Sequence, residues 1–205
     1  MNNTRRPWEV WDTQRTQEYL EKYGKPPKAH GGHQHRMRIA SRLLEGSTVL
    51  DVGCGVGHLY PFVKSHITDY LGIDTSEDML TVARKYFPEI KFEYGDVYDL
   101  SSFGTYDTVY CLSLLIHLPE IDDPIKEMWK HVNQALVFNI PIEDTQVIKK
   151  RQVRNGILIY HGEPWENILK IIAALENVEK TERHIAPPSI TSKAYVKVLK
   201  TQGRP

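Results

Sequence analysis

From Thr48 onward the chain alternates short apolar runs with amphipathic ones, the texture of a parallel sheet with crossover helices. Thr48–Val52 is the first run, followed by a glycine-rich loop. Tyr70–Asp74 is the second strand, and Thr75 or Ser76 caps a helix carrying Met79, Leu80, Val82, Ala83 and Tyr86 ahead of Pro88. Ile90–Tyr94 and Tyr106–Leu112 are the third and fourth strands. Asp123-Pro124 then places a cap and a first-turn proline before a helix over Ile125–His131, and Ala135–Ile140 is the fifth strand. Two regions break the alternation. Before Thr48 the pattern is helical: Asp12 caps a helix through Tyr19, Leu20 and Tyr23 that Gly24 ends, and a second runs from about His33 through Met37, Ala40, Leu43 and Leu44 to Gly46. After the fifth strand, Val147–Val153 and Ile157–Tyr160 flank Asn155-Gly156, a strong hairpin signal, and Pro164 opens a helix with Ile168, Leu169, Ile171, Ile172 and Leu175. Strands near Val178–His184 and Ala194–Leu199 are close enough to pair antiparallel. The pattern therefore predicts five parallel strands and a terminal antiparallel pair, with helices between.

The length of 205 residues suits one domain with appendages: a helical cap over 1–45, a core over 46–140, and a hairpin, helix and terminal strands over 141–205. No run approaches the roughly 18 apolar residues of a membrane span, and no apolar segment follows the first arginines, so a cytoplasmic protein is expected. Cys54 and Cys111 are too few and too far apart for a disulfide framework or a thiolate metal site. The 26 basic and 26 acidic residues cancel but are segregated. Residues 49–147 hold 6 Lys/Arg against 16 Asp/Glu, residues 1–48 hold 9 against 5, and residues 148–205 hold 11 against 5. An acidic middle framed by basic flanks argues against a uniformly basic nucleic-acid binder and leans the substrate toward an anionic small molecule.

The chemistry concentrates in Val49-Leu-Asp51-Val-Gly53-Cys54-Gly55-Val-Gly57, an apolar strand running into glycines at alternate positions. Such glycines let the backbone turn sharply and approach a ligand with no Cβ in the way, and the following helix offers free N–H groups. A tight strand-to-helix turn needs no ligand to explain it. Asp51 narrows the reading, because a carboxylate two residues before the first glycine suits a cationic ligand group and would repel a pyrophosphate. That argues against a nicotinamide-dependent oxidoreductase.

The motif Asp51-Val-Gly53-Cys54-Gly55-Val-Gly57 resembles the first motif of the class I S-adenosylmethionine-dependent methyltransferases, and three later stretches follow in that family's order. Leu71-Gly-Ile-Asp74 looks like the second motif, in which the acidic residue accepts from both ribose hydroxyls. Gly95-Asp96-Val97 looks like the third, which meets the adenine. Asp107-Thr-Val-Tyr-Cys-Leu112-Ser113 looks like the fourth strand, which floors the site. The resemblance covers roughly residues 48–140 and implies a cofactor site built from Asp51, Gly53, Cys54, Gly55, Gly57, Asp74, Thr75, Met79, Asp96, Val97 and Leu112, with S-adenosylmethionine as the cofactor. It also implies a three-layer, Rossmann-like α/β sandwich: a seven-stranded, mostly parallel sheet with the last strand antiparallel, here with an N-terminal helical cap and a hairpin inserted after the fifth strand. Two departures are visible. His131-Val-Asn-Gln stands where the family often has Pro-Gly-Gly, and Cys111-Leu-Ser-Leu replaces the Asp/Asn-Pro-Pro-aromatic signature of enzymes methylating DNA bases or protein glutamine.

The implied reaction is in-line transfer of the sulfonium methyl to a small-molecule acceptor. A non-catalytic cofactor-binding subunit is the alternative, since only binding motifs are recognisable. His117, just after the fourth strand, is the candidate general base; a histidine hydrogen-bonded to backbone is its alternative. His30, His33 and His35 lack a carboxylate or cysteine to complete a metal set, so no metal is expected, and they read as lid residues or a solvated helix start. Trp8, Trp11, Tyr19 and Tyr23 are lid or pocket aromatics, or packing between helices and sheet. Lys149, Lys150, Arg151 and Arg154 on the hairpin either draw in an anionic substrate or form a solvated edge that resists pairing.

Overall fold

The computed structural model describes residues 10–185 and 193–201, so Trp8 lies outside the described residues. In chain order the elements are α1 (Thr13–Tyr23), α2 (Gly31–Ser41), β1 (Thr48–Val52), α3 (Tyr60–Val63), β2 (Asp69–Asp74), α4 (Glu77–Tyr86), β3 (Lys91–Tyr94), β4 (Tyr106–Cys111), α5 (Asp122–Lys130), β5 (Val132–Pro141), β6 (Val147–Val153), β7 (Gly156–Gly162), α6 (Trp165–Ala173), β8 (Val178–Ile185) and β9 (Lys193–Lys200). Seven strands form one sheet in the order β3-β2-β1-β4-β5-β9-β8, and β6 and β7 form a separate two-stranded ribbon. β1 to β5 pair in parallel, while β9 runs antiparallel to both β5 and β8. This is the open α/β sandwich expected from the alternation. Among the described residues no helix is long and apolar enough to cross a membrane.

Strand alternation divides the core into two layers. Leu50, Val52, Leu71, Ile73, Val109, Cys111, Leu136 and Phe138 face α5 and α6, where Ile125, Met128, Trp129, Ile168 and Ile172 meet them. Val49, Tyr70, Tyr110 and Val137 face the other way, onto Met37 and Ala40 of α2 and Leu80 and Ala83 of α4. The period of two puts Asp51 on this second face, opposite Gly72 in the β1–β2 register. Chain order runs outward from β1 through β2 to β3, then returns to place β4 on the other side of β1. The carboxyl edge between β1 and β4 is therefore the topological switch point, where open α/β sheets bind ligands.

Local differences from the sequence pattern have physical causes. α2 starts at Gly31 rather than near His33, so His33 is buried inside the first turns instead of solvated at a helix start. The cap of α5 is not Asp123: Ile121 holds the N-cap position, and Asp122 and Asp123 occupy the first turn, where the helix dipole favours them. The Asp123 N–H is accepted by Glu120 Oε2 at 3.2 Å. The helix after the glycine loop is only the four-residue α3, so the loop's own backbone must supply donors there. The absent Pro-Gly-Gly turn is replaced by His131, which ends α5 and donates from Nδ1 to the Gly104 carbonyl at 2.9 Å, with β5 beginning at the next residue.

Gly72 is where the sheet and the loop are most closely fitted. A Cβ there would lie 2.6 Å from Phe92 Cδ1 and 3.0 Å from Cys54 Sγ. Gly72→Ala is expected to cost about 1–3 kcal/mol in denaturant unfolding through overpacking; an unchanged midpoint would contradict this fit.

Candidate functional site

A cavity of about 300 Å³ opens at the switch point. Of the residues singled out from the sequence, Asp51, Gly53, Cys54, Gly55, Asp74, Thr75, Met79, Leu112 and His117 line it. Asp96 and Val97 line a smaller adjoining hollow, which shares Gly53, Asp74 and Thr75 with the first. Gly57 lines neither. It packs behind the loop, where a Cβ would be 3.0 Å from Phe92 and 3.3 Å from Phe87.

The loop's form follows from its glycines. Gly53 and Gly55 have φ of +73° and +55°, a region that costs residues with a Cβ. The Gly53 and Cys54 N–H groups both donate to the Ile73 carbonyl, at 2.8 and 3.0 Å, which ties the loop to the end of β2. The Gly55 N–H donates to Asp74 Oδ2 and the Ser76 N–H to Asp74 Oδ1, both at 2.9 Å. Asp74 thus braces the loop and the start of α4 with one carboxylate. A Cβ on Gly55 would meet nothing within 4 Å, so that backbone faces open space.

Asp51 and Asp74 are the electrostatic centre. Asp51 is 3% exposed and accepts from the Tyr70 hydroxyl at 2.6 Å. Burial pushes its carboxyl up to about 7, against the lowering effect of the tyrosine, and the Asp74 charge adds to the rise. Burial likewise raises Asp74, with the backbone donors of Ser76, Gly55 and Thr75 opposing it. Among the described residues neither carboxylate has a Lys or Arg partner within salt-bridge distance.

The far side of the cavity comes from the cap. Trp11, Tyr19, Tyr23, His33, Arg36 and His58 line it. Arg36 donates to His33 Nδ1 at 3.0 Å, and His33 Nε2 lies 3.1 Å from His58 Nδ1. His58 Nε2 is 3.0 Å from the Gly24 carbonyl. Arginine only donates and a carbonyl only accepts, so the chain has one polarity: both rings are neutral Nε2–H tautomers, each passing its proton toward Gly24. Burial keeps His58 neutral, down to about 4. Arg36 Nε is buried without a partner among the described residues. His117 Nδ1 donates to the Ile159 carbonyl at 3.0 Å, and the ring packs edge-on against Trp11 at 5.4 Å. The backbone-bonded alternative and the cavity position thus hold together. Ser113, at φ +65°, also lines the cavity, and its N–H is fixed by Asn139 Oδ1 at 2.7 Å.

The basic hairpin residues lie outside this cavity. Lys149, Lys150, Arg151 and Arg154 are exposed, and Lys149 Nζ lies over the Tyr160 ring at 5.7 Å. Sequence reasoning missed Arg36 and His58, and it quoted Ser113 at the end of the fourth motif without placing it among the site residues. Of the missed two, only His58, one residue beyond the glycine motif, carried a positional signal.

Residues 49–135 match the family described as a methyltransferase domain. A sterol 24-C-methyltransferase of Aspergillus fumigatus is 25% identical over 70% of this chain and 41% of its own length. The dTDP-3-amino-3,4,6-trideoxy-alpha-D-glucopyranose N,N-dimethyltransferase of Streptomyces venezuelae is 47% identical over 30% of this chain and 26% of its own. The chain thus spans well under half the length of these relatives. The magnesium protoporphyrin IX methyltransferase of Synechocystis, crystallised with S-adenosylhomocysteine, superposes with a TM-score of 0.72 at 20% identity over 95% of this chain and 98% of that one. The fold is that of these solved methyltransferases, and the methyltransferase-domain match covers the sheet core from β1 to the start of β5. The Synechocystis neighbour is crystallised with S-adenosylhomocysteine or S-adenosylmethionine, and the residues here fit such a ligand: an uncrowded glycine backbone and, among the described residues, two acceptor carboxylates without a lysine or arginine partner and a buried guanidinium nitrogen without an acceptor.

The raised Asp51 carboxyl has a consequence for stability. The unfolded chain releases this proton near pH 4 and the folded chain only near 7, so stability falls as pH rises through that window. Asp51→Asn, which keeps an acceptor for Tyr70, should gain stability relative to the parent between pH 5 and pH 8 in denaturant unfolding. Parallel profiles for the two proteins would contradict the assignment.

Proposed function

We propose that the protein transfers a methyl group from S-adenosylmethionine to a small-molecule acceptor. The observation that carries this reading is one cavity walled on one side by the glycine loop and the carboxylates of Asp51 and Asp74, and on the other by aromatic rings and His117. Asp74 offers two acceptor oxygens to the vicinal ribose hydroxyls, and Asp51 and the loop face the amino-acid portion. Asp96 accepts from the adenine amino group in the adjoining hollow, and the Val97 backbone meets the ring. Arg36 is suited to the carboxylate, with Thr75, Met79, Cys54 and Leu112 filling the walls. When bound, the cofactor supplies a sulfonium methyl open to in-line displacement.

Such a displacement needs little covalent help. Orientation and exclusion of water lower its barrier by about 7–11 kcal/mol when the nucleophile is held at near-attack distance. His117 is placed to take the proton of an acceptor that arrives protonated: with Nδ1 donating to Ile159, the neutral ring has its acceptor at Nε2. Trp11, Tyr19 and Tyr23 would shelter the acceptor from water. Arg36 is the basic group that reaches the cavity, so an anionic acceptor would be drawn by it rather than by the hairpin lysines.

Thermal or chemical unfolding with S-adenosylmethionine, S-adenosylhomocysteine and NAD in parallel tests the cofactor. Either sulfur compound at a hundred times its dissociation constant should add about 2.7 kcal/mol, and NAD should add nothing comparable. Asp74→Ala and Arg36→Gln should each weaken S-adenosylhomocysteine binding by about 10–100-fold through lost charge-assisted hydrogen bonds. Absence of a shift with both sulfur compounds would overturn the proposal, and transfer of a labelled methyl to a small-molecule acceptor would separate an enzyme from a binding subunit.

A further inference from the structure

The hairpin β6–β7 belongs to a two-stranded sheet, separate from the main one, and such ribbons are marginal in isolation. Two groups on β7, two residues apart, fasten it to the turn that follows β4. The Ile159 carbonyl accepts from His117 Nδ1, and His161 Nδ1 lies 2.9 Å from the Leu118 carbonyl. His161 is fully buried, and its other nitrogen, Nε2, is 2.6 Å from Oε1 of Glu163, itself 3% exposed. Glu163 also accepts from Gln146 Nε2 at 2.6 Å and from Asn167 Nδ2 at 3.0 Å. One carboxylate thereby joins β7, the segment leading into β6, and α6.

Leu118 offers a carbonyl, which can only accept, so His161 Nδ1 donates to it. Against the cost of burial, the donors around Glu163 hold its carboxyl below the usual range. Removing either partner would leave buried polar groups unpaired, so the pair holds the base of the hairpin firmly. The tip is held separately: Asp12 Oδ2 accepts from Arg154 at 3.2 Å and also from Asn155.

We infer that the His161–Glu163 pair is a positioning device for His117: by pinning β7 against the Leu115–Leu118 turn it keeps the Ile159 carbonyl on His117 Nδ1, which holds a proton on that nitrogen and sets the ring's tautomer. Neither His161 nor Glu163 lines the cavity, so the pair acts only through His117. The inference rests on His117 serving as the acceptor-side base, but its physical content, the tautomer of His117, is measurable without any acceptor.

Nitrogen-15 NMR of the histidine rings near neutral pH tests it, with signals assigned by single substitutions. In the parent protein His117 should show a protonated Nδ1. Glu163→Ala removes the acceptor that joins His161, Gln146 and Asn167; His161→Gln keeps the contact to Glu163 and drops the one to Leu118. In each folded variant His117 should lose its single tautomer and show averaged nitrogen signals, while S-adenosylhomocysteine binding is unchanged. His161→Asn, which retains a donor toward Leu118, should restore much of the His117 signature. An unprotonated Nδ1 on His117 in the parent would overturn the inference even if no variant folds, as would a single Nδ1–H tautomer of His117 persisting in a folded variant. Loss of S-adenosylhomocysteine binding in the parent would count instead against the cofactor reading.

Discussion

Two carboxylates at the ends of adjacent parallel strands, the buried Asp51 of β1 and the half-buried Asp74 of β2, are the constraint around which the rest of the site is built. They share a cavity wall, each raises the cost of ionising the other, and the described residues provide no cation to either. A buried charge in that position persists only if hydrogen-bond donors surround it. The donors are the Tyr70 hydroxyl for Asp51 and the Gly55 and Ser76 N–H groups for Asp74. The glycine loop therefore bends as it does partly because its backbone must reach Asp74, and positive φ at Gly53 and Gly55 is what allows the bend.

The cap depends on the same loop. Ser76, whose N–H serves Asp74, uses its hydroxyl twice, capping α4 at the Met79 N–H and donating to the Trp11 carbonyl at 2.5 Å. Asp12 caps α1 through the Arg15 N–H and also receives the hairpin tip, and the Arg15 and Arg154 contacts keep its carboxyl below the usual range. The chain Arg36–His33–His58–Gly24 crosses from α2 to the residue after Gly57 and back to the end of α1. Three segments remote in sequence thus converge over one loop. Each is fastened by hydrogen bonds whose direction the chemistry of the partners dictates.

The framework was legible in the sequence because it is local. Thr48–Val52 was bounded to the residue by its apolar run and the glycines after it, and Asn155-Gly156 marked the hairpin turn. Asp51, Asp74 and Asp96 stood out because each ends or follows a strand, and parallel strands place such ends along one edge. The cap was harder. Arg36 drew no notice in the sequence and His33 read as a lid residue or a solvated helix start; only the packing of α2 over the loop gives them a shared environment. His161 and Glu163 carried no signal at all: two residues apart on a strand they look solvent-exposed, and burial by the turn after β4 and by α6 is a tertiary event. The fold's acidic centre and basic flanks were visible as a charge pattern, yet the pattern did not show that one arginine of the flanks reaches the cavity while the hairpin lysines remain outside.

The central claim is that Asp51, its carboxyl pushed up to about 7 by burial, still holds a proton in a large share of molecules near pH 7 and gives it up when a ligand ammonium binds. Calorimetric titration of S-adenosylhomocysteine near pH 7, repeated in buffers of different ionisation enthalpy, measures the protons exchanged on binding. The account predicts that binding releases protons, because the ammonium lowers the Asp51 carboxyl from about 7, and that Asp51→Asn abolishes this release. Binding without proton release, or release that persists in Asp51→Asn, would contradict it.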